Sequence, residues 1–324
     1  MKKLLLAGIS LIWSFTAVGQ SNIDITHFSV FQQYYSPALT GNQGSVIKSL
    51  YRNQWTGFED APQTILFSAE LSPAELKGIN GQEGIRRNGQ SGTGNAFGLS
   101  VLHDSFGAYS ETQLNLSYGA AIRLTETLNL RWGTAISYKS NRLDGSRLSV
   151  DKPDPRYQDL LGQNNRKSRV DLNLGLALSA NNYYLGYALQ DVAKDGFFRT
   201  GDEFLEETYT RKHVLQAGYR TSLTDQFGVI MNTLVLYDDL QKETLEAQVK
   251  GVYNNMIWAG AGYRKDLAVN LTAGVRLKQL QIGYAFEMPA GDAAVPNNTN
   301  EVVISYRLFP ATNGSRNGNQ LQIW

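Results

Sequence analysis

The feature that most constrains this chain is a two-residue alternation sustained over unusually long segments. From Val170 to Ala180, Val170, Leu172, Leu174, Leu176 and Leu178 share one face, and Asp171, Asn173, Gly175, Ala177 and Ser179 share the other. A repeat of two marks a strand, whose successive side chains point to opposite sides. The pattern recurs in Gln113–Leu124, Leu128–Lys139, Leu267–Leu277 and Leu280–Met288. About fourteen such segments can be marked, at 45–55, 61–72, 94–104, 108–124, 127–141, 168–180, 182–192, 211–222, 226–240, 243–254, 256–265, 267–277, 279–288 and 299–308. Most reach the roughly 9–11 residues that a tilted strand needs to cross a bilayer, whereas strands of soluble proteins average about 5–6. An even number of long antiparallel strands predicts an all-β fold, an outer-membrane antiparallel β-barrel of about 14 transmembrane strands. A soluble sandwich or propeller fits neither the strand lengths nor the polar face, which carries small residues and isolated charges.

Composition agrees. Charged residues make up only 18% of the 324 residues, against about 25% in an ordinary soluble domain, while Gly (31) and Tyr (17) are abundant. The net charge of +1 gives no electrostatic case for a nucleic-acid partner. With no cysteine there is no disulfide framework and no thiolate site. Lys2 and Lys3, the apolar run Leu4–Val18 and the small residues Ala17-Val18-Gly19 read as a signal peptide over 1–19, cleaved before Gln20. The run is too short and too interrupted for a membrane anchor. Residues 20–44 read as an N-terminal periplasmic, plug-like segment, 45–309 as the transmembrane barrel, and 310–324 as a flexible tail.

Turn lengths set the orientation. Thr125-Glu126, Asn181-Asn182, Thr224-Asp225, Asn254-Asn255 and Lys278-Gln279 are tight connections of one parity, and the long connections 142–167, 193–210 and 289–298 are of the other. Short turns are periplasmic and longer loops extracellular in such barrels, which places both termini in the periplasm. The connection 73–93 is long yet periplasmic by parity. It is either a true extension or a sign of a miscounted strand upstream.

Chemistry is sparse. His103-Asp104-Ser105 is a poor catalytic fragment, because neighbours on a strand point apart and triads assemble from distant positions. His27, His103 and His213 form no metal-ligand spacing, and no cofactor is expected. The acidic pairs Asp202-Glu203 and Glu206-Glu207 read as solvated loop. Trp132, Tyr138, Tyr183, Tyr184, Tyr187, Trp258, Tyr263 and Tyr284 are expected in lipid-interface girdles. By alternation, Arg123, Arg131, Arg220, Arg264, Arg276 and Arg307 face inward with Asp171, Glu246, Glu287 and Glu301. The mixture of signs predicts ion pairs bracing a filled lumen.

The densest stretch is Ser49–Ser68. Parity puts Arg52 and Gln54 on one face of the first strand, and Tyr51, Asn53 and Trp55 on the other. Polar on both faces, this strand suits the seam where the first and last strands must pair.

Several blocks of the sequence resemble the PorP/SprF family of outer-membrane proteins, associated with the type IX secretion system and gliding motility of Bacteroidetes. They are Pro37-Ala38-Leu39-Thr40-Gly41, Tyr51-Arg52-Asn53-Gln54-Trp55, Pro62-Gln63-Thr64, Asp104 with Gly107, Gly218-Tyr219-Arg220, Gly262-Tyr263-Arg264, Ile282-Gly283-Tyr284-Ala285-Phe286, and Glu301 in the last strand. The chain departs from the family pattern at Ser36 and Asn300. The resemblance implies a non-enzymatic barrel that works with translocon components in secreting or anchoring a cargo protein with a C-terminal sorting domain. It leaves a porin-like or ligand-transporting channel as the alternative. Partner contacts are then expected on the long loops, at Tyr157, Phe197, Phe198, Phe204 and Tyr209.

Overall fold

The structure is a computed structural model that describes residues 24–77, 94–147, 165–194, 196–201, 210–239, 243–290, 297–309, 321 and 323. Fifteen strands form one sheet. They are β1 (Val46–Asn53), β2 (Gln63–Leu71), β3 (Gly94–Phe106), β4 (Tyr109–Arg123), β5 (Leu128–Leu143), β6 (Arg166–Ala180), β7 (Tyr183–Gln190), β8 (Phe198–Gly201), β9 (Lys212–Ser222), β10 (Phe227–Asp238), β11 (Glu243–Tyr253), β12 (Ile257–Arg264), β13 (Ala268–Leu277), β14 (Leu280–Pro289) and β15 (Thr299–Arg307). Each strand of the ring pairs antiparallel with its neighbours, and β1 pairs with β15 to close it. β8 stands outside the ring. It pairs with Lys167–Val170 of β6, above the point where β7 ends. The barrel therefore has fourteen strands.

The strands form because the chain satisfies two solvents. Leu116, Ile136, Leu174, Leu176, Leu215, Met231, Ile257, Leu271 and Ile304 lie exposed on the outer face. The inner face of the same strands carries buried Asn115, Ser137, Asn173, Gln216, Asn232, Gln248 and Asn270. Apolar outside and polar inside reverses a soluble protein and matches a wall facing lipid. Closure leaves no unpaired edge in the hydrocarbon, where an orphaned backbone group is costly.

The strand count resolves the parity of residues 73–93. No upstream strand was miscounted, so the connection after β2 leaves the barrel at its periplasmic end. It begins with a short helix, α2 (Pro73–Lys77), and 78–93 fall outside the described residues.

Two aromatic assignments need correction. Tyr184 and Trp258 are buried inside the barrel (1% and 2% exposed), whereas Trp132, Tyr183, Tyr187, Tyr263 and Tyr284 face outward. Adjacent residues must point apart, so Tyr183 and Tyr184 could not share a girdle. Trp258 turns inward because its partner across β12–β13 is Gly274. A Cβ at Gly283 would come within 2.9 Å of its indole, so glycines form the floor on which it lies.

Arg123 keeps the inward phase, opposite buried Asn129, and is exposed because it lies at the periplasmic end of its strand.

The N-terminal segment is not confined to the periplasmic side. Thr26 and His27 lie level with Arg52 and Glu301, at the extracellular ends of β1 and β15, whereas Ser45 adjoins the periplasmic start of β1. Residues 24–45 thus run down the lumen as a strap. It contains a single helical turn, α1 (Gln32–Tyr35), followed by a 3-10 turn at Pro37–Leu39. Phe28, Phe31, Ala38 and Leu39 are fully buried (0% exposed). An irregular backbone is tolerated at membrane depth only where the protein surrounds it, and here the barrel does.

Candidate functional site

The lumen is the only place where charged side chains gather deep in the molecule among the described residues. Its contents divide into three levels.

At the extracellular level the strap's backbone meets a ring of carboxylates and guanidiniums. Glu301 accepts the amides of Thr26 (2.9 Å) and His27 (2.8 Å), contacts His27 Nδ1 (2.6 Å), and accepts from Arg52 (3.2 Å). Arg52 also donates to Glu287 (2.9 Å) and to Thr26 Oγ1 (2.9 Å). Glu287 accepts in turn from Thr26 Oγ1 and Arg264, and Arg264 donates to Glu246 (3.0 Å). Gln248 donates to the Thr26 carbonyl (2.6 Å), and further toward the periplasm Lys250 donates to Ser29 Oγ (2.9 Å) while lying 5.2 Å above the Trp258 ring. Taking these ions out of water is costly, and the cost is met only when all are paired together. The strap is therefore a constituent of the network.

At the middle level the strap lies on glycine. Gly119, Gly133 and Gly175 are direct cross-strand neighbours on β4, β5 and β6. A Cβ on Gly133 would overlap the Pro37 carbonyl, and one on Gly175 would sit 2.8 Å from Ser36 Oγ. Pro37, at the start of its 3-10 turn, presses the backbone into this shallow belt. Arg131 holds it there by donating to the carbonyls of Ala38 (2.9 Å) and Thr40 (2.7 Å). Gly41 takes φ +74°, in the left-handed region that favours glycine, and its amide donates to Glu70 (2.7 Å). Glu70 pairs with Lys48, which also donates to the Val30 carbonyl (2.7 Å). The resemblance block Pro37-Ala38-Gly41 is thus the part of the strap that fits the wall most closely.

At the rim the β1–β2 loop is stitched to its neighbours. Trp55, at φ +50°, packs edge-on against Phe106 (5.3 Å). Thr56 exchanges bonds with Asn297, Asn298 and Asn300, the Gln54 amide donates to the Pro62 carbonyl (2.9 Å), and Thr64 donates to Asp104 (2.5 Å). Tyr51 faces lipid, 44% exposed. A small cavity of about 20 Å³ opens here, lined by Asp24, Arg52, Gln54, Trp55, Arg264 and Glu287 among others.

A second ionic knot sits beyond the end of β7. Asp191 accepts from Lys139 (2.6 Å) and Arg169 (3.1 Å), beside Asp171. Burial favours the neutral acid, yet the two cations outweigh it and hold the Asp191 carboxyl down to about 2. A folded-state value below the unfolded one means stability present above the ordinary carboxyl range and lost as pH falls through about 2. Asp191→Asn is expected to lose about 2 kcal/mol at neutral pH, and denaturant titrations across pH should show the gap to the parent closing between about pH 4 and 2.

The structure thus brings Pro37, Ala38, Gly41, Arg52 and Glu301 together on the strap and its clamps, and Gln54, Trp55, Pro62 and Thr64 on the rim. Two of the five loop aromatics fall among the described residues. Phe197 and Phe198 are exposed (59% and 75%) beside β8, and Tyr157, Phe204 and Tyr209 lie outside the described residues. Sequence reasoning missed His27, Glu70 and Lys250 as strap contacts. Their signal was faint: Glu70 and Lys250 are charged residues on the inward phase with no partner nearby in sequence, and His27 lies in a segment that has no phase.

The sequence matches, over residues 17–307, the family described as type IX secretion system membrane protein PorP/SprF. The chain belongs to that family. Comparison with curated protein sequences gives no match. Among solved structures, the PorP/SprF chain is similar to the toluene transporter TbuX of Ralstonia pickettii (11% identity, 85% of this chain and 92% of that one, TM-score 0.46). It is also similar to a Pseudomonas aeruginosa FadL homologue (9% identity, 82% and 89%, TM-score 0.41) and to the outer membrane phospholipase A of Escherichia coli (12% identity, 85% and 99%, TM-score 0.37). The family and the barrel place the protein in the outer membrane, as a membrane component of the secretion system.

Proposed function

We propose that this PorP/SprF protein is a non-enzymatic anchor that holds a specific secreted cargo protein, carrying a C-terminal sorting domain, at the cell surface beside the translocon. The observation that carries this reading is the filled lumen. A strap clamped by Arg52, Arg131, Glu70, Glu287 and Glu301 occupies the route that a porin or ligand channel would need to keep open. The barrel wall then serves as a rigid mount, and recognition falls to the loops 142–167, 193–210 and 289–298. Phe197 and Phe198 offer the exposed aromatic surface that protein interfaces favour.

Affinity purification of the tagged barrel from native membranes, followed by mass spectrometry, tests the proposal. Secreted sorting-domain proteins and translocon components are expected to co-purify, and a Phe197→Ser/Phe198→Ser double variant should lose the cargo while keeping normal barrel levels. Purification of the barrel without either class of protein would remove the anchor reading. A link to gliding motility belongs to the same proposal, and would appear as a spreading defect in a strain lacking the protein.

A further inference from the structure

The outer face of β5 and β6 changes character as the two strands reach the extracellular side. Lower on the wall its side chains include Trp132, Ile136, Leu174 and Leu176, all exposed to lipid. Tyr138 and Val170 follow as cross-strand partners, then Ser140 with Ser168, then Arg142 with Arg166. Both arginines are exposed, and both have the outward phase of their strands. Like charges set opposite each other on neighbouring strands repel, so this pair is costly without an anion.

Hydroxyls hold Arg166 in place. Its Nε donates to Ser140 Oγ (2.7 Å) and its Nη2 to Tyr138 Oη (3.2 Å). Tyr138 donates to Ser168 Oγ (3.1 Å), and Ser168 to Ser140 Oγ (3.2 Å). These partners orient the guanidinium without neutralising it. A guanidinium carries more N–H donors than these two bonds use.

The surroundings supply little countercharge. Neither Arg142 nor Arg166 forms an ion pair among the described residues. Asp144, just past the end of β5, acts electrostatically on Arg142, and its carboxylate accepts the Ser146 amide (3.1 Å) and hydroxyl (2.6 Å). On β4, Ser110 and Thr112 lie opposite Arg142 and Ser140, and His103 of β3 bonds to Thr112 (2.9 Å). Asp104, Glu111 and Asp171 of these strands have the inward phase. Elsewhere on the extracellular rim, Lys194 meets Asp239 (2.7 Å) and Lys265 meets Glu243 (3.7 Å). The β5–β6 arginines differ in meeting hydroxyls.

We propose that the extracellular end of the β5–β6 outer face binds a phosphorylated glycolipid of the outer leaflet, with a phosphate on Arg142 and Arg166 and acyl chains along Ile136, Leu174 and Leu176. Guanidinium groups match phosphate oxygens in charge and in planar, forked geometry. Depth selects a lipid over a dissolved anion. The arginines stand above a tyrosine at the level of an interface girdle, and an apolar wall continues below it. One molecule with an anionic head and acyl chains meets both parts. Such a lipid fixes the depth of the barrel beside the loop 142–167.

Binding of lipid A to the purified full-length protein in detergent, followed by native mass spectrometry, tests the proposal. The parent should bind bisphosphorylated lipid A about tenfold more tightly than the same lipid stripped of phosphate, the difference expected of one charge-assisted bond. Arg142→Gln with Arg166→Gln should abolish that difference, and Lys194→Gln with Lys265→Gln should preserve it. Inorganic phosphate at millimolar concentration should not displace the lipid. Equal affinity of the parent for the two lipids would overturn the proposal, and this comparison needs no variant to fold. Equal losses in the two double variants would assign binding to general surface charge, and displacement by inorganic phosphate would make the site one for a small free anion. Either result also overturns the proposal.

Discussion

Glu301→Ala is expected to lower the barrel's unfolding free energy by about 3–5 kcal/mol, the usual cost of removing one member of a buried ionic network. The loss is large because Glu301 serves several groups at once. It accepts two consecutive strap amides, meets His27 Nδ1, and shares Arg52 with Glu287. Alanine leaves those amides without an acceptor in a site that is 1% exposed, and leaves Arg52 with one carboxylate in place of two. Urea titration of the detergent-folded barrel, followed by tryptophan fluorescence, gives the number. Glu301→Gln should fall between, since it keeps an acceptor for one amide and loses the charge. A loss below about 1 kcal/mol, the range of an exposed ion pair, would show that the strap does not depend on this carboxylate.

Gly133→Val should displace the strap. The wall at this point has no room for a Cβ, because the Pro37 carbonyl occupies the space. The other neighbour of that Cβ is the Ala38 amide, and backbone cannot step aside as a flexible side chain can. Overpacking typically costs about 1–3 kcal/mol where a core adjusts, and here the added bulk meets two neighbouring strap residues. The expected result is a barrel that assembles in reduced amount with its middle strap lifted from the wall. Protease treatment of the folded protein should then cut near residues 36–41 in the variant and not in the parent. Equal protection in both would place the strap away from Gly133. Val at Gly251 is the control, because a Cβ there meets only one atom within 4 Å, at 3.9 Å.

The barrel itself was legible in the sequence. Each ring strand contains at least eight residues, and its alternation separates lipid-facing Leu174 and Leu176 from lumen-facing Asn173 and Ala177. β8 was not legible, because its four residues are too few to show a period and all are exposed. The strap's course was hidden for a different reason. Residues 24–45 have no repeating pattern because the lumen wall, not a regular ladder, satisfies their backbone. Arg52 and Glu301 stand 249 positions apart. Only the closure of strand one on the last strand brings them to a common register, where Arg52 lies directly opposite Glu301. The family blocks pointed to both residues without showing that the strap lies between them. The inward turn of Trp258 could have been found from its surroundings, since the small residues Gly274 and Gly283 fall opposite it once the hairpins are drawn. Of the C-terminal tail, Leu321 and Ile323 are buried in one apolar cluster with Leu39, Tyr184 and Trp258. An alternation two apolar residues long is too short to distinguish a buried segment from an exposed one.

The central claim is that this PorP/SprF barrel is closed by its own N-terminal strap and works as a mount for partners. Conductance of the purified full-length protein in planar bilayers tests it most directly. The structure predicts traces without a steady open level, and a rise in conductance for Gly133→Val, whose strap is displaced. A large, stable conductance in the parent protein would contradict the claim, and would return the channel reading to first place.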